Sequence, residues 1–193
     1  MNIKCLWLIL FGTATVLLVM NSENQARGTE STPYQVVRTD GKFELRDYPA
    51  LTVVEATSSK NADSSFMRLF RFIGGSNQAQ QKIAMTTPVL MSGNETNGTM
   101  AFVMPANMKT NQVPKPIDSG LVLKEIVAGR FAVFRFRGGR NTRNEGASLL
   151  KLKDWMKTQN LSPQLPPIYG YFNPPWIPTF FRHNEVLMRV QPQ

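Results

Sequence analysis

The feature that most restricts this chain is the order in which two hydrophobic periods alternate along it. Tyr34–Thr39, Phe43–Tyr48 and Leu51–Thr57 are rich in Val, Thr and aromatic residues, and Asp40-Gly41 marks a hairpin between the first two. Ala62, Phe66, Leu69, Phe70 and Ile73 then recur at helical spacing, and Gly74-Gly75 stops that helix. Ile83, Met85, Thr87, Val89 and Met91 alternate with period two, as do Met100, Phe102 and Met104, with Pro88 marking an edge or a bulge. After a bridge punctuated by Pro105, Pro114 and Pro116 the order restarts. Leu121–Val127 and Arg130–Arg137 read as strands, residues 144–159 as a helix carrying Leu149, Leu152, Trp155 and Met156 on one side, and Ile168–Phe172 and Glu185–Val190 as strands. With Tyr34–Thr39 set apart as a leading strand, each half reads strand, strand, helix, strand, strand. Neither half is large enough to bury both faces of its sheet alone, so one shared core is expected, in a single α+β domain.

The N-terminus belongs to a different class of segment. Lys4 precedes an uncharged, mostly apolar run of 16 residues, Cys5–Met20. A helix of that length reaches roughly 24 Å, short of a hydrocarbon core of about 30 Å, so it suits a signal-peptide core better than a spanning helix. A retained anchor is the alternative, because no clean A-x-A site follows. Residues 1–22 are read as signal peptide or membrane anchor, 23–33 as a polar linker, and 34–190 as the domain. The chain is then exported, either secreted or periplasmic, or anchored through residues 5–20. In an exported chain Asn94 and Asn97 are glycosylation sequons within a polar loop.

Composition removes several chemistries. One Cys (Cys5) cannot close an internal disulfide, and one His (His183) with one Cys cannot supply a Cys/His zinc site. The formal charge is +9, and residues 130–157 hold eight Lys or Arg against two acids. Such a stretch attracts carboxylates or an anionic membrane surface. No helix-turn-helix, RNP or KH string accompanies it, so nucleic acid is not an expected partner.

Several strings fall in a recognisable order: Gly74-Gly75-Ser76-Asn77, Lys82-Ile83-Ala84-Met85-Thr86-Thr87-Pro88-Val89, Phe102-Val103-Met104-Pro105, Pro114-Lys115-Pro116, Phe131-Ala132-Val133, Asn173-Pro174-Pro175-Trp176 and Arg182-His183-Asn184-Glu185-Val186. The series resembles the SOUL haem-binding family from about Tyr34 to Val190, 157 of 193 residues. The resemblance implies a distorted β-barrel of two pseudo-repeated halves, each with one helix, related to small-molecule-binding bacterial regulators. It also implies non-catalytic, reversible binding of haem or another tetrapyrrole in an apolar slot.

A tetrapyrrole needs a wide apolar surface and cations for its propionates. The first helix is the candidate platform: Phe66, Met67 and Phe70 offer apolar contact and Arg71 a propionate partner, with Tyr171 and Trp176 as candidate walls. His183 does not occupy a ligand position shared by the family, so binding without an axial His is expected. Two other functions stay open. One is a hydrolase on the related fold, with Tyr169 or Tyr171 beside a Glu185 whose pKa is raised by burial. The other is an anionic-membrane or protein interaction module using the 130–157 stretch.

Overall fold

The computed structural model describes residues 29–57, 62–93 and 98–191. The N-terminal run, and the sequons at Asn94 and Asn97, lie outside these residues. Among the described residues eleven strands and two α-helices follow one another: β1 (Glu30–Ser31), β2 (Gln35–Asp40), β3 (Phe43–Tyr48), β4 (Leu51–Thr57), α1 (Ala62–Ile73), β5 (Thr86–Thr87), β6 (Val89–Ser92), β7 (Thr99–Val103), β8 (Leu121–Ile126), β9 (Gly129–Phe136), α2 (Thr142–Thr158), β10 (Pro163–Tyr171) and β11 (Asn184–Val190). Nine strands form one antiparallel sheet in the order β2-β3-β9-β11-β10-β6-β7-β4-β8. The molecule is α+β, mostly sheet.

Alternation along the strands divides the side chains between two faces. On the outer face α1 lies on β4 and β7, burying Leu69, Phe72 and Ile73 against Val54, Ala56, Met100 and Phe102. Also on that face α2 buries Leu152, Trp155 and Met156 against Ala132, Phe134, Val186 and Met188. The inner face carries Leu51, Val53, Ala101 and Val103 from one half, and Phe131, Val133 and Leu187 from the other. Ile126, on the edge strand β8, packs into both inner clusters, so the sheet curls. It does not close into the expected barrel by hydrogen bonds, because β2 and β8 remain edges. The link from β8 to β9 is only Val127-Ala128, and its two carbonyls accept from the Arg189 guanidinium.

Three expectations change at the level of elements. The strand foreseen from Ile83 begins only at Thr86; Ile83 instead drops into the α1 core while its N–H donates to Ile73 O at 2.8 Å. The buried face of α1 is Ser65, Leu69, Phe72 and Ile73, an i, i+4, i+7, i+8 set, which turns Phe70 outward. The stretch expected as a linker up to residue 33 contains β1, which pairs in parallel with β5 and continues into the buried Thr32.

Candidate functional site

The candidate surfaces are a groove on the inner face and the α1 side chains expected from the sequence. Glu44 and Arg46 of β3, Arg135 of β9 and Glu185 of β11 all point inward from adjacent strands, set by the registers Glu44↔Val133 and Glu185↔Arg135. The Arg46 side chain is 0 % exposed. Its Nη1 and Nη2 donate to the two carboxylate oxygens of Glu185 at 2.8 Å each, and its Nε donates to Glu44 at 2.6 Å. Nη1 also donates to the Tyr48 hydroxyl at 3.0 Å, and the guanidinium carbon lies 4.1 Å from the Tyr34 ring centre. Arg135 completes a balanced set of two cations and two carboxylates by approaching Glu44 at 2.6 Å. His183 Nε2 lies 3.0 Å from Glu185 Oε1.

The electrostatic outcome is definite. Burial pushes the Glu185 carboxyl up, but hydrogen bonds from His183 and Arg46, reinforced by their charges, outweigh it and bring it down to about 2. Burial also pushes the Tyr48 hydroxyl up, the Arg46 charge opposing it only in part. Glu185 is therefore an anion at neutral pH and holds no proton for general acid chemistry, contrary to the raised value expected of a hydrolase carboxyl. Tyr169 and Tyr171 project to the opposite face of the sheet, towards α2. Tyr169 OH donates to Glu145 O at 3.4 Å, and Tyr171 OH donates to the Glu145 carboxylate. Burial and the nearby Glu145 charge push Tyr169 up to about 12. A Tyr–Glu185 dyad is thus not assembled.

Beside the ion-pair cluster the inner face carries a groove of about 440 Å³ with an apolar floor of Val53, Leu90, Ala101, Ile126, Phe131 and Ile168, and with Glu55, Lys124, Glu125 and Arg189 also lining it. That volume is in the range of small-molecule sites. Among the described residues no cluster of three or more His, Cys, Asp or Glu side chains could hold a metal ion.

The second surface is the outward side of α1. Phe70 is 49 % exposed and Met67 43 %, while Phe66 is half-buried and stacks on Phe70 with ring centres 6.0 Å apart. Arg71 is exposed on the same helix, and Arg68 donates to Asp118 through two nitrogens. Phe66, Met67, Phe70 and Arg71 thus share one helix, but Tyr171 and Trp176 do not join them. Tyr171 packs into the α2 core, and Trp176 stands 77 % exposed on the β10–β11 loop.

The strings singled out in the sequence mostly lock loops. Asn77 is fully buried; its Nδ2 donates to Phe72 O and Gln81 O, and its Oδ1 accepts from Gln81 N. Thr86 Oγ1 donates to Val103 O. Arg182 donates to Ile177 O and Pro175 O, and Asn184 to Gly138 O.

A model of the family described as "SOUL heme-binding protein" matches residues 29–189. The chain belongs to the SOUL haem-binding family. A search of curated proteins finds no match. Among solved structures, the SOUL chain is similar to the C-terminal domain of EcmrR (13 % identity, TM-score 0.56, covering 83 % of this chain and 99 % of that one). A hydrolase from Listeria innocua is similar at 10 % identity and TM-score 0.57, over 80 % and 94 % of the two chains. EcmrR in its DNA complex aligns at 12 % identity and TM-score 0.58, over 83 % of this SOUL chain and 58 % of that chain. At such identities these likenesses show the fold alone. Family membership points to a tetrapyrrole ligand in general.

Proposed function

We propose that this SOUL protein binds haem or another tetrapyrrole reversibly and without catalysis, on the outward side of α1. The observation that carries the reading is the exposed Met67–Phe70 pair beside Arg71, in a chain whose family binds haem. A flat macrocycle covers Phe70 and Met67, and Arg71 pairs with a propionate. Tyr171 and Trp176 are not walls of this platform, since they sit on other parts of the fold. No axial histidine is involved: His183 is engaged with Glu185, two residues along at the start of β11.

The reading takes the two runs β3, β4, α1, β6, β7 and β8, β9, α2, β10, β11 as pseudo-repeated halves of a distorted, incompletely closed barrel. Support comes from the strand order, which from β3 to β8 reverses onto itself when the two runs are exchanged. Binding takes place outside the cytosol, in a secreted, periplasmic or anchored protein, because the run Cys5–Met20 reads as an export or anchoring segment.

Hemin titration followed at the Soret band tests the proposal. Saturable binding at micromolar protein is expected, and Phe70→Ala combined with Arg71→Glu weakens it by about tenfold or more. Ala101→Trp, which fills the inner groove, leaves the titration unchanged. The reverse pattern would place the ligand in the groove, and no saturable change at all would sink the reading.

A further inference from the structure

The β10–β11 loop presents a group of exposed aromatic residues that haem binding does not use. Trp176 is 77 %, Phe180 63 % and Phe181 64 % exposed, and the last two rings lie 4.3 Å apart. A soluble surface seldom carries three large aromatics on one short loop without a partner. The loop is also held in place. Asn173 Oδ1 accepts from His183 N, Ile177 N donates to Pro174 O, Phe181 N donates to Pro178 O, and Arg182 donates from within to Ile177 O and Pro175 O. The rings are presented at little further entropic cost.

The surroundings indicate what covers them. Asn184 pairs with Phe136 and donates to Gly138 O, and a Cβ at Gly139 would meet the Thr179 methyl group. The β9–α2 loop therefore lies directly beside the aromatic loop. It carries exposed Arg137 and Arg140, with exposed Arg143 in the first turn of α2. Arg140 is 3.9 Å from Glu145, the nearby acid, which also accepts from Tyr171. Lys42, exposed in the β2–β3 turn, adjoins the same end through its carbonyl, which accepts from Arg135 N. Residues 172–183 contain no Asp or Glu. Projecting Trp and Phe beside a loop of exposed cations is the chemistry of an anionic bilayer interface.

The path of the chain agrees. β1 runs beside β5, and Ser31, Pro88 and Phe172 line one small void, so the chain enters the domain next to the base of the aromatic loop.

We propose that the Trp176–Phe181 loop inserts into the interface of an anionic membrane, with Arg137, Arg140 and Arg143 contacting lipid headgroups. The full chain carrying Trp7→Phe tests this, because Trp155 is buried and donates to Asp40, leaving Trp176 as the exposed emitter. With phosphatidylcholine–phosphatidylglycerol vesicles, Trp176 emission should shift to the blue and be quenched by lipids brominated in the acyl chain. Trp176→Ser should remove that quenching. Arg137→Glu with Arg143→Glu should weaken vesicle affinity by about tenfold or more. Trp176 emission that stays unmoved and open to aqueous iodide, while the chain co-sediments with vesicles, overturns the proposal in favour of the N-terminal run alone. Concentration-dependent dimers dissolved by Phe180→Ser with Phe181→Ser overturn it in favour of a second copy. Neither readout involves haem, so this proposal and the haem platform stand or fall separately.

Discussion

At the residue scale the molecule is organised around charges that satisfy one another. Arg46 has no contact with water, and its ion pairs compensate the cost of burying it only while every partner is present. Removing one partner, as in Glu185→Leu, leaves Arg46 and Arg135 to share the single carboxylate of Glu44 and is expected to cost about 3–5 kcal/mol in urea unfolding. Replacing Arg46 and Glu185 together by apolar residues should cost less than the single change. The pH dependence has a definite sign. Glu185 is held at about 2 against an ordinary value of 4.5, so its contribution is complete above pH 4.5 and declines as pH falls towards 2. Acid unfolding of the wild type should begin within that window, and Glu185→Gln should flatten the profile there. His183→Ala should leave the hemin spectrum nearly unaltered while lowering stability, because its ring serves the carboxylate. Loss of the Soret change in that variant would show the ligand argument to be wrong. Little of this cluster was legible in the sequence. Nothing in the spacing of Glu44, Arg46 and Arg135 joins them until β3, β9 and β11 come together from distant parts of the chain.

At the element scale the sequence identified nearly every helix and main-sheet strand, and its failures have a common cause. The spacing of α1 was legible, but two aromatics two residues apart, on different sides of the helix, compete for the core, and periodicity cannot rank Phe70 against Phe72. The sheet decides: Phe72 is buried against the β4–β7 face, while Phe70 is left outside, stacked on Phe66. The two positions should separate cleanly in experiment. Phe72→Ala is expected to cost about 3–5 kcal/mol, whereas Phe70→Ala should cost well under half of that while lowering hemin affinity. Equal destabilisation by both would mean that Phe70 is a core residue. The eight basic residues of 130–157 show the same limit of linear reading. Arg130 pairs with Asp47 and Arg135 turns into the sheet, whereas Arg137, Arg140 and Arg143 collect at the β9–α2 loop. One stretch of sequence thus becomes three different environments.

At the scale of the whole molecule, the two halves of the chain are interleaved. β3 pairs with β9 of the second half, and β8 pairs with β4 of the first, while β6 and β10 join in the middle. The order of elements was readable from periodicity, but this pairing was not, because partners in a sheet are chosen by three-dimensional register. Each half alone would leave β4 or β9 without an edge partner and the inner clusters cut in two, since Tyr48 and Ile126 pack in both. Loss of that much apolar contact exceeds the few kcal/mol by which a domain of this size is stable. Fragments divided in the Pro105–Pro116 bridge are therefore expected to be unfolded singly, without near-ultraviolet dichroism or dispersed amide resonances. Mixed in equal amounts they should recover both signals, because the bridge carries no strand of the main sheet. Two fragments that each fold alone would show that the halves are autonomous and that the interleaved pairing is dispensable. Recovery only on mixing would locate the stability of the fold in the exchange of β3 and β8.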